Sequence, residues 1–126
     1  ADAVGYGHLM KPATAKAKGV QTENMAVEWL RANGFIYAER RHLKGAADEG
    51  DVTGIPGVTI EVKSAATWAP VRWQRELRAE MENTGDEIGF CMCRPKATLN
   101  VDDWVFTVPG DVLLELLTEA GYRVRP

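Results

Sequence analysis

The stretch Gly50-Asp51-Val52-Thr53-Gly54-Ile55-Pro56-Gly57-Val58-Thr59-Ile60-Glu61-Val62-Lys63 constrains this chain more than any other. Two apolar-alternating runs flank the break Gly54-Ile55-Pro56-Gly57, which is the pattern of a β-hairpin. Strand side chains alternate between faces, so Ile60 and Val62 point one way while Glu61 and Lys63 point the other. A hairpin folded about Pro56 sets residue 51 opposite residue 61, within one position. Two carboxylates and an ammonium then meet on one sheet face. Two carboxylates about 4 Å apart repel by roughly 4 kcal/mol at an effective dielectric of about 20. A divalent cation held by both turns that repulsion into binding, and hard oxygen ligands favour Mg²⁺ or Mn²⁺ over zinc. From spacing alone, a surface hairpin with a Glu and a Lys on its solvated face accounts for the pattern equally well.

The remaining elements surround this hairpin in the order α-β-β-β-α-β-β-α, an α/β arrangement with a mixed central sheet flanked by helices. Residues 20–33 read as a helix capped by Thr22, with Ala26, Val27 and Leu30 as its apolar stripe and Asn33-Gly34 as its stop. Glu23 lies on the core-facing side of that helix, either complementing the helix dipole or serving as a buried acid with a chemical task. Residues 35–42 read as a strand ending in Arg40-Arg41-His42, and residues 44–50 as a polar turn carrying Asp48 and Glu49. Pro70 opens a second helix and Gly85 closes it, with Trp73, Leu77 and Met81 as the buried stripe. Arg72/Glu76 and Arg78/Glu82 have the spacing of ion pairs on its outer face. Trp68 is placed to stack on a base or to pack under its loop. Residues 88–93 form a buried strand and residues 101–108 another. Asp111 caps a last helix over residues 112–120, which Gly121 ends.

At 126 residues, with 26% charged residues and a mean hydropathy of −0.25, one domain with one sheet is expected. No apolar run approaches the ~18 residues that a membrane span needs, and the first residues lack the basic start and apolar block of a secretory signal. Cys91 and Cys93 fall on one face of one strand, too close along the chain for an ordinary disulfide. No histidine cluster accompanies them, so they read as small buried residues in a reducing cytoplasm. The net charge of −3 argues against indiscriminate nucleic-acid binding. Lysines and arginines nevertheless cluster at Lys11/Lys16/Lys18, Arg40/Arg41/Lys44, Arg72/Arg75/Arg78 and Arg94/Lys96. Such clusters suit a phosphate-binding rim around an acidic centre, or ordinary solvated helix faces. Of the two histidines, His8 lies in the N-terminal segment, and His42, beside two arginines, suits phosphate or solvent better than proton transfer. Acyl-transfer, phosphate-loop and dinucleotide motifs are missing from the sequence.

From Lys18 to about Lys96 the chain resembles the PD-(D/E)XK nuclease superfamily, and more narrowly its Holliday-junction-resolvase-like branch of archaeal and bacteriophage type. Lys18-Gly19-Val20-Gln21-Thr22-Glu23 and the helix ending Ala32-Asn33-Gly34-Phe35 are similar to the family's opening helix with its glutamate. Gly50-Asp51-Val52 matches the aspartate motif, with glycine where the literal motif has proline, which leaves Asp48 as a rival. Glu61-Val62-Lys63 matches the E-x-K element, and Gln74 either matches a glutamine that some relatives carry on the following helix or is an ordinary solvated helix position.

The resemblance implies a restriction-endonuclease-like core in residues 18–126, preceded by an N-terminal arm, residues 1–17; the absent initial Met and the change of character at Met10 suggest that residues 1–9 of this arm are foreign. It implies a Mg²⁺-dependent endodeoxyribonuclease (Mn²⁺ substituting) with Glu23, Asp51, Glu61 and Lys63 as catalytic residues. Asp51, Glu61 and the Val62 carbonyl would hold the metal, with Glu23 acting through water. Lys16, Lys18, Arg40, Arg41, Lys44, Arg94 and Lys96 would hold branched or duplex DNA. A homodimer in the cytoplasm, or in the host cytoplasm if phage-encoded, cutting four-way junctions is the expected form. Flaps, forks or DNA ends are the alternative substrates, and a non-catalytic DNA-binding subunit is the alternative class.

Overall fold

A computed structural model of the chain describes residues 15–41, 50–64 and 67–124, with side chains from residue 17 onward. Among these residues the elements are α1 (Ala15–Ala32), β1 (Glu39–Arg40), β2 (Val52–Thr53), β3 (Val58–Lys63), α2 (Pro70–Thr84), β4 (Ile88–Cys93), a 3₁₀ turn (Val101–Asp103), β5 (Val105–Thr107) and α3 (Gly110–Glu119). The five strands form one sheet in the order β1-β2-β3-β4-β5. Only β3 and β4 run parallel, and α2 is the crossover between them. The protein is therefore α/β, a mixed sheet with helices packed against it, as the sequence pattern requires.

Alternation along β3 and β4 divides the interior in two. Ile60, Val62 and Met92 pack with Ala26, Val27 and Leu30 of α1, together with Val101 and Trp104. Cys91 and Cys93 face the other way, against Trp73, Leu77 and Met81 of α2 and Val112 of α3. Each large apolar side chain sealed in these layers contributes about 1.5–3 kcal/mol. Both cysteines are buried free thiols, and burial pushes the Cys91 thiol up to about 12. Gly89 lets α2 sit this close: a Cβ there would lie 2.6 Å from Met81 Sδ and 3.2 Å from Leu77 Cδ1. Pro70 occupies the first turn of α2, and Gly85, left-handed at φ 77°, closes it.

Several boundaries differ from the sequence expectation. The first helix begins at Ala15, within the expected arm, so Thr22 is no cap. It sits mid-helix and fully buried, accepting a hydrogen bond from Arg94 Nη1 at 3.3 Å. The expected strand over residues 35–42 shrinks to Glu39–Arg40. Phe35 still donates to Leu30 O and Ala38 to Phe35 O, which bends the chain into a turn and leaves Phe35, Ile36 and Tyr37 exposed. Residues 101–108 split because the Asn100 side chain accepts from the Asp102 N–H at 3.0 Å and starts a 3₁₀ turn. Trp104 is buried there and donates to Thr98 O at 3.1 Å.

Asp111 is not the cap residue of the last helix. Pro109 precedes α3, and Asp111 in its first turn binds Arg78 of α2. Glu76 and Arg78, expected to pair along α2 with Arg72 and Glu82 respectively, bind Lys63 of β3 and Asp111 of α3 instead. Trp68 packs edge-on against Trp73, with centroids 5.1 Å apart, while 45% of it stays exposed. No helix among the described residues is long and apolar enough to cross a membrane.

Candidate functional site

The hairpin sets Val52 opposite Ile60, so Asp51 lies at the level of Glu61. Gly50 makes this possible. Its φ of 101° is left-handed, and a Cβ there would lie 3.0 Å from Ile60 O, so glycine alone fits before the aspartate. Asp51 is then fixed on both sides of the ladder. Its N–H donates to Ile60 O at 2.8 Å, and its carbonyl accepts from the Arg41 N–H at 2.8 Å. The carboxylate reaches over to β3, where Oδ2 accepts from the Val62 N–H at 2.7 Å. In an extended strand the N–H and C=O of one residue point to the same side. The Val62 carbonyl therefore faces the same edge as the Asp51 carboxylate.

Glu61 is 3% exposed, and its Oε2 is buried with no hydrogen-bond donor. Burial pushes its carboxyl far above the usual range, and the facing carboxyls of Asp51 and Glu80 push it further. Lys63 Nζ stands 3.5 Å from Glu61 Oε1 and donates to Glu76 Oε2 at 2.6 Å. Burial works to lower the Lys63 pKa. The Glu76 hydrogen bond and the negative charges of Glu61, Glu76 and Asp51 outweigh it, so the lysine titrates above its ordinary value. Glu23 approaches from α1. Its carboxyl is raised by burial and then by the charge of Asp51, against the opposing pull of Arg40, whose Nε donates to Glu23 Oε1 at 3.0 Å. Asp51 is thus the hinge of the cluster, sensed by Glu23 on one flank and by Glu61 and Lys63 on the other.

Compared with known proteins, the chain matches no family model, no curated protein and no solved structure. The reading of this site therefore rests on its own chemistry.

That chemistry suits a hard divalent cation. Among the described residues no three His, Cys, Asp or Glu side chains stand in ready metal geometry. The donors that do converge are all oxygens: the Asp51 and Glu61 carboxylates and, on the same edge, the Val62 carbonyl. A buried carboxylate oxygen without a donor is costly to keep charged, and a cation relieves that cost directly. Mg²⁺ commonly keeps several waters and takes only one or two carboxylates, so Asp51, Glu61 and the Val62 carbonyl are the residues that would hold one.

The expected DNA-binding residues are dispersed. Lys18 and Lys96 are exposed and line an open groove of about 420 Å³ with Gln21, Ser64 and Arg94, next along the chain from Lys63. Arg94 also braces the fold, since its Nε donates to Thr98 O at 3.0 Å and its Nη1 to Thr22. Arg40 is turned onto Glu23 rather than to the outside. Arg41 is partly buried beside Asp51. The Lys16 side chain and all of Lys44 lie outside the described residues, as do His8, Lys11, His42, Asp48 and Glu49. Gln74 is exposed on α2 and lines a shallow cleft with Val71, Arg75 and Arg78.

Two site residues escaped the sequence reading, Glu76 and Glu80, both on α2. Glu80 is 4% exposed and faces Glu61. Its signal was its position, seven residues after Trp73 and three after Leu77, on the buried stripe. Glu76 adjoins Leu77, and its only sequence signal, the spacing to Arg72, pointed the wrong way.

Proposed function

We propose that this chain is a metal-dependent endodeoxyribonuclease of the PD-(D/E)XK type, acting on branched DNA with four-way junctions as the favoured substrate. One observation carries the reading. Asp51, Glu61 and Lys63 converge at the ends of two paired strands, around a buried glutamate crowded by the carboxyls of Asp51 and Glu80 and given no N–H donor at its Oε2 among the described residues. A binding module gains nothing from burying such acids.

Asp51 and Glu61, with the Val62 carbonyl, are the residues that would hold Mg²⁺ or Mn²⁺. When bound, such an ion polarises a phosphodiester and lowers the pKa of water. The chain's own residues supply the rest. Asp51 is held in place by the Val62 N–H and by its two ladder hydrogen bonds, so its carboxylate needs no reorganisation at the moment of reaction. Lys63 presents a positive charge beside Glu61, where it orients the attacking water or offsets negative charge developing on the phosphate. Glu23 borders Asp51 from α1 and reaches the centre through water. Hydrolysis proceeds by in-line attack of water, with no covalent enzyme intermediate. Lys18, Lys96 and Arg94 hold the DNA backbone in the groove beyond Ser64, an affinity that reads charge more than sequence. Two symmetric nicks in one junction call for two copies, so the active form is a homodimer.

Asp51→Asn tests the assignment. It abolishes Mg²⁺-dependent cleavage while leaving junction binding intact, and near-normal turnover in this variant rules the site out. Lys63→Ala lowers turnover more than affinity. A panel of four-way junctions, flaps, forks, duplexes and single strands identifies the substrate, with paired nicks near the crossover marking resolution.

A further inference from the structure

We infer that Glu76 is the positioning residue for Lys63, fixing the lysine ammonium beside Glu61 where the water and phosphate are met. The inference rests on the nuclease reading above and adds to it a residue outside the four motif positions. Lys63 sits on a flexible four-carbon stem, and its ammonium carries three donors. One donor is taken by Glu76 Oε2 at 2.6 Å, and Glu61 Oε1 lies 3.5 Å from the ammonium as an ion-pair partner. Nζ lies against both carboxylates at once, so Glu76 keeps the ammonium beside Glu61 instead of drawing it away.

The backbone behind Glu76 is firm. Trp73 and Leu77, on either side of it along α2, are buried in the core, and the close seat at Gly89 holds the helix on the sheet. The Glu76 side chain itself is 44% exposed. A half-exposed ion pair adds little to stability, and replacing Glu76 still leaves the Lys63 ammonium its ion-pair partner Glu61 at 3.5 Å. Its contribution is therefore one of placement, and its removal is a clean test.

The test measures Mg²⁺-dependent cleavage of a synthetic four-way junction by the full chain. It compares wild type with Glu76→Gln, Glu76→Asp, Lys63→Ala, the double variant Lys63→Ala/Glu76→Gln, and Glu82→Gln as an exposed control on the same helix. Glu76→Gln lowers kcat about 10- to 100-fold, the scale expected when a reacting group is misplaced by about an ångström, with KM within about 2-fold. Glu76→Asp recovers part of the loss, Glu82→Gln matches wild type, and thermal midpoints stay together. On the Lys63→Ala background Glu76→Gln causes no further loss, because the group it positions is gone. Wild-type kcat in Glu76→Gln, or an equal loss on both backgrounds, overturns the positioning role alone. A wild-type chain inert on every DNA with Mg²⁺ and Mn²⁺ overturns the nuclease reading and this role with it.

Discussion

At the scale of single residues the decisive feature is a buried glutamate with too much negative charge around it. Glu61 has burial, Asp51 and Glu80 all acting to keep it protonated. Its folded-state pKa therefore lies above its ordinary value of 4.5, and the folded chain holds a proton that the unfolded chain releases. The stability tied to that proton is complete below that value and is lost as pH climbs towards the raised one. Glu23, raised by burial and by Asp51, adds in the same direction. In EDTA the thermal midpoint accordingly falls as the solution is taken from acid to mildly alkaline pH, and Glu61→Gln flattens the fall. Mn²⁺ at alkaline pH raises the wild-type midpoint and leaves that of Glu61→Gln unchanged, both followed by differential scanning calorimetry. A wild-type midpoint that rises with pH in EDTA contradicts the charge balance described here.

At the scale of elements, the site is where two layers meet. The hairpin brings Asp51 to Glu61, and α2 brings Glu76 and Glu80 onto the same two β3 residues. Gly89→Val tests the second contribution. Overpacking against Met81 and Leu77 costs about 1–3 kcal/mol, and it lifts Glu76 away from Lys63, so cleavage falls along with the unfolding free energy. A loss of stability with full activity would show that the seat of α2 does not matter to the site.

The hairpin half of this arrangement was legible in the sequence to within one position, because period-two alternation and the Gly54–Gly57 break mark two strands and the turn between them. The alternation also gave the faces, with Ile60 and Val62 on one and Glu61 and Lys63 on the other. The α2 half was not legible, because Glu76 and Glu80 have the ordinary look of a charged helix face. Only the angle at which α2 lies on β3 decides which of its acids turn inward. Strand limits failed for a related reason. Phe35, Ile36 and Tyr37 have strand-like composition, yet the hydrogen bonds that finish α1 claim the backbone first.

Across the molecule, net negative charge coexists with a basic groove at Lys18, Arg94 and Lys96 beyond the acidic centre. Junction affinity should fall with salt, and Lys18→Ala or Lys96→Ala should each reduce the slope of log affinity against log salt by about one contact. Arg94→Ala should instead lower stability as well, since it unties Thr22 from the loop around Thr98. Unchanged salt slopes in both lysine variants would remove the groove from the DNA path. The site as a whole is tested most directly by a crystal of the protein soaked in Mn²⁺. The account predicts an anomalous peak between the carboxylates of Asp51 and Glu61, within direct coordination distance of both and of the Val62 carbonyl. Ordered carboxylates turned away from each other, with no peak between them at saturating Mn²⁺, would contradict it.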